Sequence, residues 1–400
     1  MPKPINEVTR TIRSEQVLNA FIQVVRQNLP LDLKNTRITA EDILYALAYA
    51  NVHRLSIAST CQELREAPSG NRLREVLVEA LPDRAGVQCA LNRIFHQQLH
   101  PSLLKGKRAY NIAIDLTLIP YHGQPYQDKK EIVRGAPKSG TTHFHGYATV
   151  SIVHDHRRFV VALRFVEYGE EMADIVRWLI KRIKALKIRL RRVFLPAPVP
   201  QAQVDKGFCS KPVFKVLDQH KLSRVVPIPV RGKSGGVRCL FQGTSRKTTY
   251  TFHSLKYGAY TVQAVVTKRY SKGRYGRHSS KWFAYAVAGL PAGIPPAQVF
   301  ELYRQRFGIE SSYRQMNQVR ARTSTRNPVI RLLLVGLAFV IFNLYITLRQ
   351  SLSSALKQPL KSPKRFWLSL RSLALMLARA IERLWGIEEV LQLHPCATLS

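Results

Sequence analysis

Three stretches carry residues able to do chemistry together. Asn111-Ile-Ala-Ile-Asp115-Leu-Thr117 is an apolar run ending in a carboxylate, and Asp205-Lys-Gly-Phe208 stands directly before a predicted helix. The third is Tyr303-Arg-Gln-Arg306-Phe-Gly-Ile-Glu310-Ser-Ser-Tyr313-Arg314-Gln-Met-Asn317. Hard divalent cations take oxygen ligands, and a pair of them about 3.5–4 Å apart can clamp the attacking and leaving oxygens of a phosphodiester displacement. Three carboxylates, on a strand, after a strand and on a late helix, could converge to hold such metal beside DNA phosphates. The third stretch lies in a segment without proline from Ala297 to Asn327, which predicts a helix. Positions 303, 306, 310, 313, 314 and 317 then share one face. The bland alternative is a solvated intrahelical ion pair between Arg306 and Glu310.

These residues resemble the DDE transposases of bacterial and archaeal insertion sequences. The relevant group has its last acidic residue in the pattern Tyr, two residues, Arg, three residues, Glu, six residues, Lys. Here the pattern reads Tyr303, Arg306, Glu310 and then Asn317 in place of the lysine, and Arg314, one turn after Glu310, is positioned to supply the cation. The first aspartate matches as Ile-Asp115-Leu-Thr and the second as Asp205-Lys-Gly-Phe; the likeness runs from about residue 109 to about 345. The resemblance implies an enzyme that cleaves transposon ends and transfers strands into target DNA. It implies Asp115, Asp205 and Glu310 as catalytic residues and as ligands of two Mg²⁺ or Mn²⁺ ions, with Asp115 bridging the pair. It also implies that Tyr303, Arg306, Arg314 and Asn317 hold phosphates near the reacting strand, and that the protein is a homodimer when assembled on DNA.

The composition fits a polyanionic partner. Sixty-two basic against 25 acidic residues give +37, spread over nearly the whole chain, so nucleic acid is the first candidate. A chain of 400 residues with 46% hydrophobic content is globular and long enough for a large core with appended modules. Five cysteines, an odd number without a CxxC pair, fit free thiols in a reducing cytosol. The amino terminus lacks the apolar core of a signal peptide. Only Val329 to Leu348 reaches membrane-span length, and it contains Arg331, Gly336 and Asn343; it reads as a buried core helix, not a membrane span. These observations fit a cytoplasmic protein, and the resemblance implies a bacterial or archaeal one associated with the nucleoid.

The elements that must position the carboxylates follow in order. Residues 1–105 read as helices, among them a capped Thr39-Ala-Glu-Asp42 start and a Ser56 to Leu64 segment resembling a helix-turn-helix, and form an expected DNA-end-binding domain. From Ala109 the pattern turns to period two: Tyr110 to Thr117, His145 to Val153 and Arg158 to Val166 read as strands, followed by an amphipathic helix from Met172 to Leu186. Three strands and a helix, with a carboxylate on the first strand, open an α/β ribonuclease H-like core, expected over 106–236 and 290–350. Ser210 opens a helix, and Arg224 to Pro229 reads as a fifth strand at a sheet edge because of its prolines. Alternating aromatic and β-branched residues from Val237 to Ala288 predict an inserted β-subdomain over 237–289. Its loop Lys268-Arg269-Tyr-Ser-Lys-Gly-Arg274-Tyr-Gly-Arg277 suits a DNA backbone. A helical basic tail occupies 351–400.

Two departures keep other readings open. Pro196 to Val204 intervenes between Val-Phe-Leu195 and Asp205, and proline cannot continue a central strand. That segment and the missing lysine are compatible with a catalytically decayed or repurposed DNA-binding protein, and a ribonuclease H-like nuclease that cuts without joining is the other alternative. His143, His145, His154 and His156 alternate as zinc ligands would, without a cysteine partner nearby.

Overall fold

The apolar periodicity of residues 110–194 builds a sheet whose first strand carries Asp115. In the computed structural model, the described residues are 12–34, 36–99, 103, 109–154, 157–196, 207–230, 234–272, 278–306, 313–355 and 368–389. They fall into two compact units, residues 99–314 and residues 1–98 with 315–400.

The 99–314 unit is a single mixed sheet covered by helices. β1 (Tyr110–Pro120) pairs antiparallel with β3 (Thr141–His154), and β4 (Arg157–Val166) returns along the far edge of β3. That edge also takes β2 (Val133–Lys138), an extra strand not expected from the sequence, at Phe144 and His143. Helix α6 (Met172–Ala185) crosses to β5 (Leu190–Phe194), which lies parallel to β1, and α7 (Lys211–Gln219) crosses to β6 (Ser223–Pro227), parallel to β5. The resulting order, with an antiparallel meander of three strands leading into two parallel ones, is that of a ribonuclease H-like core. α6 forms because Ile175, Val176, Leu179, Ile180 and Ile183 make one apolar stripe, all buried.

β6 is an interior strand, not the edge strand that its prolines suggested. It pairs with β5 on one side and with β9 (His278–Ala288) on the other, which continues through β8 (Tyr260–Lys272) to β7 (Arg246–Phe252). Proline is tolerated for a simple reason. The Ile228 N–H donates to Ala284 O on β9, so the missing N–H of Pro227 belongs to the opposite side. There the pairing with β5 has already ended, at Val225. The strands of the 237–289 stretch thus extend the core sheet itself.

The other unit is helical: α1 (Ser14–Arg26), α2 (Ala40–His53), α3 (Ile57–Glu63), α4 (Gly70–Ala80), α5 (Arg84–Gln97), α9 (Pro328–Ala355) and α10 (Leu370–Trp385). Thr39 caps α2 with a reciprocal bond to Asp42. The long apolar helix α9 is a buried core helix, packed mainly on α5. The donors of Arg331 are satisfied locally, as its Nε donates to Thr325 O (2.6 Å) and its Nη2 to Thr323 O (3.3 Å). α10 lies against α1 and α2, so residues 315–389 cluster with the amino-terminal helices.

The helix expected over 297–327 is not continuous. α8 spans only Pro296–Arg304, Gln305 and Arg306 form a turn, helical backbone returns at Tyr313, and residues 320–327 are non-helical. The buried side chain of Asn51 accepts from Ala321 N (3.3 Å) and Leu55 O accepts from Arg322 N (3.0 Å), drawing that last segment away from helical bonding.

Candidate active site

β1 presents Asp115 next to Thr149, its register partner on β3. The carboxylate is buried (6% exposed) and its Oδ1 accepts the Leu116 N–H at 2.9 Å. Its Oδ2 accepts from Nη2 of Arg306 at 3.1 Å, a pair in which the Arg306 side chain is only 4% exposed. Burying two opposite charges is worthwhile only with further bonds to each. Arg306 has one, as its Nη1 donates to the Tyr303 hydroxyl (3.0 Å), and that hydroxyl donates in turn to Leu195 O (3.2 Å). A continuous chain therefore joins the middle of β1, the turn after α8 and the carboxyl end of β5. Glu310, the other member of the intrahelical pair expected with Arg306, lies outside the described residues.

Tyr303 is fixed because its ring completes an apolar cluster. It packs with Ala113, Phe194, Val225, Val265 and Val299, and its centroid lies 5.1 Å from that of Tyr285. Burial pushes the Tyr285 hydroxyl well above its ordinary range. A second tie is the bond between the Tyr313 hydroxyl and Thr149 Oγ1, at 2.6 Å. Burial, and then the charge of Asp115, push the Tyr313 hydroxyl well upward, so it stays neutral. Arg158, on β4, donates to Gln305 O at 3.4 Å. Its burial, followed by repulsion from Arg306, lowers its ionisation to about 10. The surroundings of Asp115 are thus rich in fixed positive charge, which suits a bound phosphate.

The remaining predicted residues separate into groups. Tyr303 and Arg306, expected at phosphate, are buried and engaged as described. Arg314 and Asn317 are exposed, and Asn317 Oδ1 accepts from Arg320 Nε at 3.1 Å. Lys268 lies opposite Trp282 in the β8–β9 ladder, with its ammonium 5.4 Å from the ring centroids of both Tyr270 and Trp282. Trp282 stacks on Phe241 at 5.8 Å. Arg269 pairs with Glu301 (2.5 Å) and covers Phe300 (4.6 Å). Asp205, Glu310, Arg274, Arg277 and His156 lie outside the described residues. Among the described residues no three His, Cys, Asp or Glu side chains gather as a metal site. Thr149, Arg158 and Tyr313 were missed as site residues. The available signals were a threonine at an inward position of a buried strand and the place of Tyr313 on the face shared with Arg306.

The chain is similar to known proteins in sequence family and in fold. Residues 107–344, more than half of the chain, match the family model described as "Transposase DDE domain". Among solved structures, the chain is similar to a piggyBac transposase in a synaptic complex with hairpin DNA, solved by cryo-electron microscopy. The two are 14% identical with a TM-score of 0.54, over 95% of this chain and 83% of that one. At that identity the likeness speaks for the fold. No curated protein matches the chain. With a ribonuclease H-like sheet, an aspartate on its first strand and a family match spanning both, the chain belongs to the transposase DDE-domain family and is a DNA transposase, an enzyme of DNA cleavage and transfer.

Proposed function

We propose that Asp115, Asp205 and Glu310 form one divalent-metal site that cleaves the ends of an insertion sequence and joins them to target DNA. The observation that carries this reading is the bonded chain Asp115–Arg306–Tyr303–Leu195. It ties the first aspartate to the strand end that precedes Asp205 and to the turn four residues before Glu310. Tyr313, three residues after Glu310, is bonded to the strand neighbour of Asp115. Three residues of chain reach at most about 11 Å, a span short enough to support the reading that Glu310 serves the same site as Asp115.

The donor set fits Mg²⁺ or Mn²⁺. Asp115, which also accepts from Leu116 N and Arg306, would join Asp205 and Glu310 in supplying the carboxylate oxygens that hard cations take. Such ions, when bound, would make a water or a 3′-hydroxyl nucleophilic and offset charge on the leaving oxygen. Arg306 holds the Asp115 carboxylate in one orientation. Tyr303 fixes Arg306, and Arg158 with Arg306 supplies the positive field that draws a phosphodiester to the strand ends. Lys268, Arg269, Arg274 and Arg277 would steady the DNA backbone along β8, Arg314 and Asn317 would reach it near Glu310, and residues 1–105 would read the element's end. The protein works as a homodimer on DNA in the cytoplasm.

In a nicking assay on end-containing DNA, Asp115→Asn is expected to lose more than about 100-fold in rate, since groups one step behind a metal ligand already cost about 10–100-fold. Cleavage that survives Asp115→Ala would refute the assignment. The proline-rich stretch after Leu195 favours one second reading, a DNA-binding protein without cleavage. It predicts that Mn²⁺ binding is the same with and without Asp115. A precut end that is never joined to target would point instead to a nuclease.

A further inference from the structure

The back of the sheet carries a basic surface that the cleavage reaction does not use. α7 and α8 lie on opposite faces of β8: Phe214 of α7 stacks on Tyr260 (5.8 Å), whereas Tyr303 and Val299 of α8 pack with Val265. Tyr260 and Val265 are an odd number of residues apart on one regular strand, hence on opposite faces. Asp115, two residues from Ala113 of the same apolar cluster, belongs to the α8 side. α6 packs beside α7, on the other side.

On α6 the residues 177, 181 and 184 share the face opposite the buried stripe. Lys184 Nζ lies 3.2 Å from Nδ1 of His220 at the end of α7. Lys181, Lys184, Lys187, Lys215 and Lys221 are exposed, and among the described residues none of them has an ion-pair partner. The acids nearby are already engaged, Asp174 by Arg177 and Asp218 by Arg224. The ordinary explanation for cations at helix carboxyl ends is the helix dipole, worth about half a charge per helix. Two helix ends therefore offset about one of the five lysines. The rest form an unneutralised field, and it is felt locally: burial, then Lys184, Lys181 and Arg177, hold the His220 imidazole below its ordinary range.

We propose that the outer faces of α6 and α7 are a second DNA-contact surface, on the side of the sheet away from Asp115, which holds a duplex by its phosphates. The inference rests on the protein being a DNA transposase. Lysines dominate the face, and they meet phosphates as point charges without reading bases, so the contact is independent of sequence. Nucleic acid is favoured over an anionic membrane because the same chain already handles DNA on its other face.

The test uses the full chain and a 30-base-pair duplex of arbitrary sequence. Log affinity against log salt should lose about 0.9 in slope for each phosphate contact removed, hence between about 2 and 3 for Lys181→Gln/Lys184→Gln/Lys221→Gln. In the unaltered protein the same duplex should raise the titration midpoint of His220, followed by NMR with labelled histidine and assigned with His220→Gln. An unchanged slope overturns the proposal. So does a changed slope with an unmoved His220 midpoint, since the phosphates then lie elsewhere. Phosphatidylserine vesicles that move the midpoint where the duplex does not would overturn DNA as the occupant. The binding measurement needs no cleavage, so loss of nicking in Asp115→Asn and failure of the lysine variant are separate results.

Discussion

Asp115 is held by groups that reach it from far along the chain, and the bond between Tyr313 and Thr149 is the one most open to a clean test. The phenol stays neutral because burial and the nearby carboxylate oppose its ionisation. Tyr313→Phe keeps the ring and removes only the bond, leaving Thr149 Oγ1 buried; unfolding free energy should fall by about 0.5–1.5 kcal/mol in denaturant melts. The cleavage rate should fall as well while DNA affinity holds, because the segment following Glu310 loses its tie to β3. A variant that melts like the parent and cuts at the parental rate would remove Tyr313 from the positioning machinery. At this scale the position of Asp115 on a strand was legible, as a carboxylate within an apolar run is conspicuous. The Thr149–Tyr313 pair was not, because its members are 164 residues apart and each alone has an ordinary role.

Among elements, α9 and α5 pack so closely that a glycine is required between them. A Cβ on Gly336 would fall inside the Leu91 side chain, within 2.8 Å of its Cγ, and Leu91 is fully buried. Gly336→Ala should therefore destabilise the helical unit by about 1–3 kcal/mol through overpacking, despite the helix propensity gained, which is about 1 kcal/mol. Adding Leu91→Ala should lose less than the two single changes summed, a coupling that a double-mutant cycle reads directly. Periodicity made most elements legible: β1, β3, β4, α6 and α9 lie where alternation and apolar stripes put them. It misjudged β6, whose proline sits just past its neighbour's last residue. It also ran α8 onward into Arg306, whose side chain turns instead to Asp115.

At the scale of the whole molecule, the helical unit is assembled from both ends of the chain. α10 buries Leu370, Leu373, Leu377, Ile381 and Trp385 against partners that include α1 and α2. At about 1.5–3 kcal/mol for each large apolar side chain, its removal costs on the order of 10 kcal/mol, comparable to the total stability of a typical domain. A chain ending at residue 367 should expose the α1 and α2 amides to rapid hydrogen exchange; protection equal to that of the full chain would show that α10 is dispensable. Sequence reading assigned that helix to a separate tail because an apolar stripe announces burial without naming its partner. The anchor on β5 has a further consequence. Since the Leu195 carbonyl is held from outside by the Tyr303 hydroxyl, the strand keeps its terminus however many residues follow. Each doubling of a flexible connection adds only about 0.6 kcal/mol of closure entropy, so lengthening the stretch after Leu195 should leave the stability of β5 nearly unchanged.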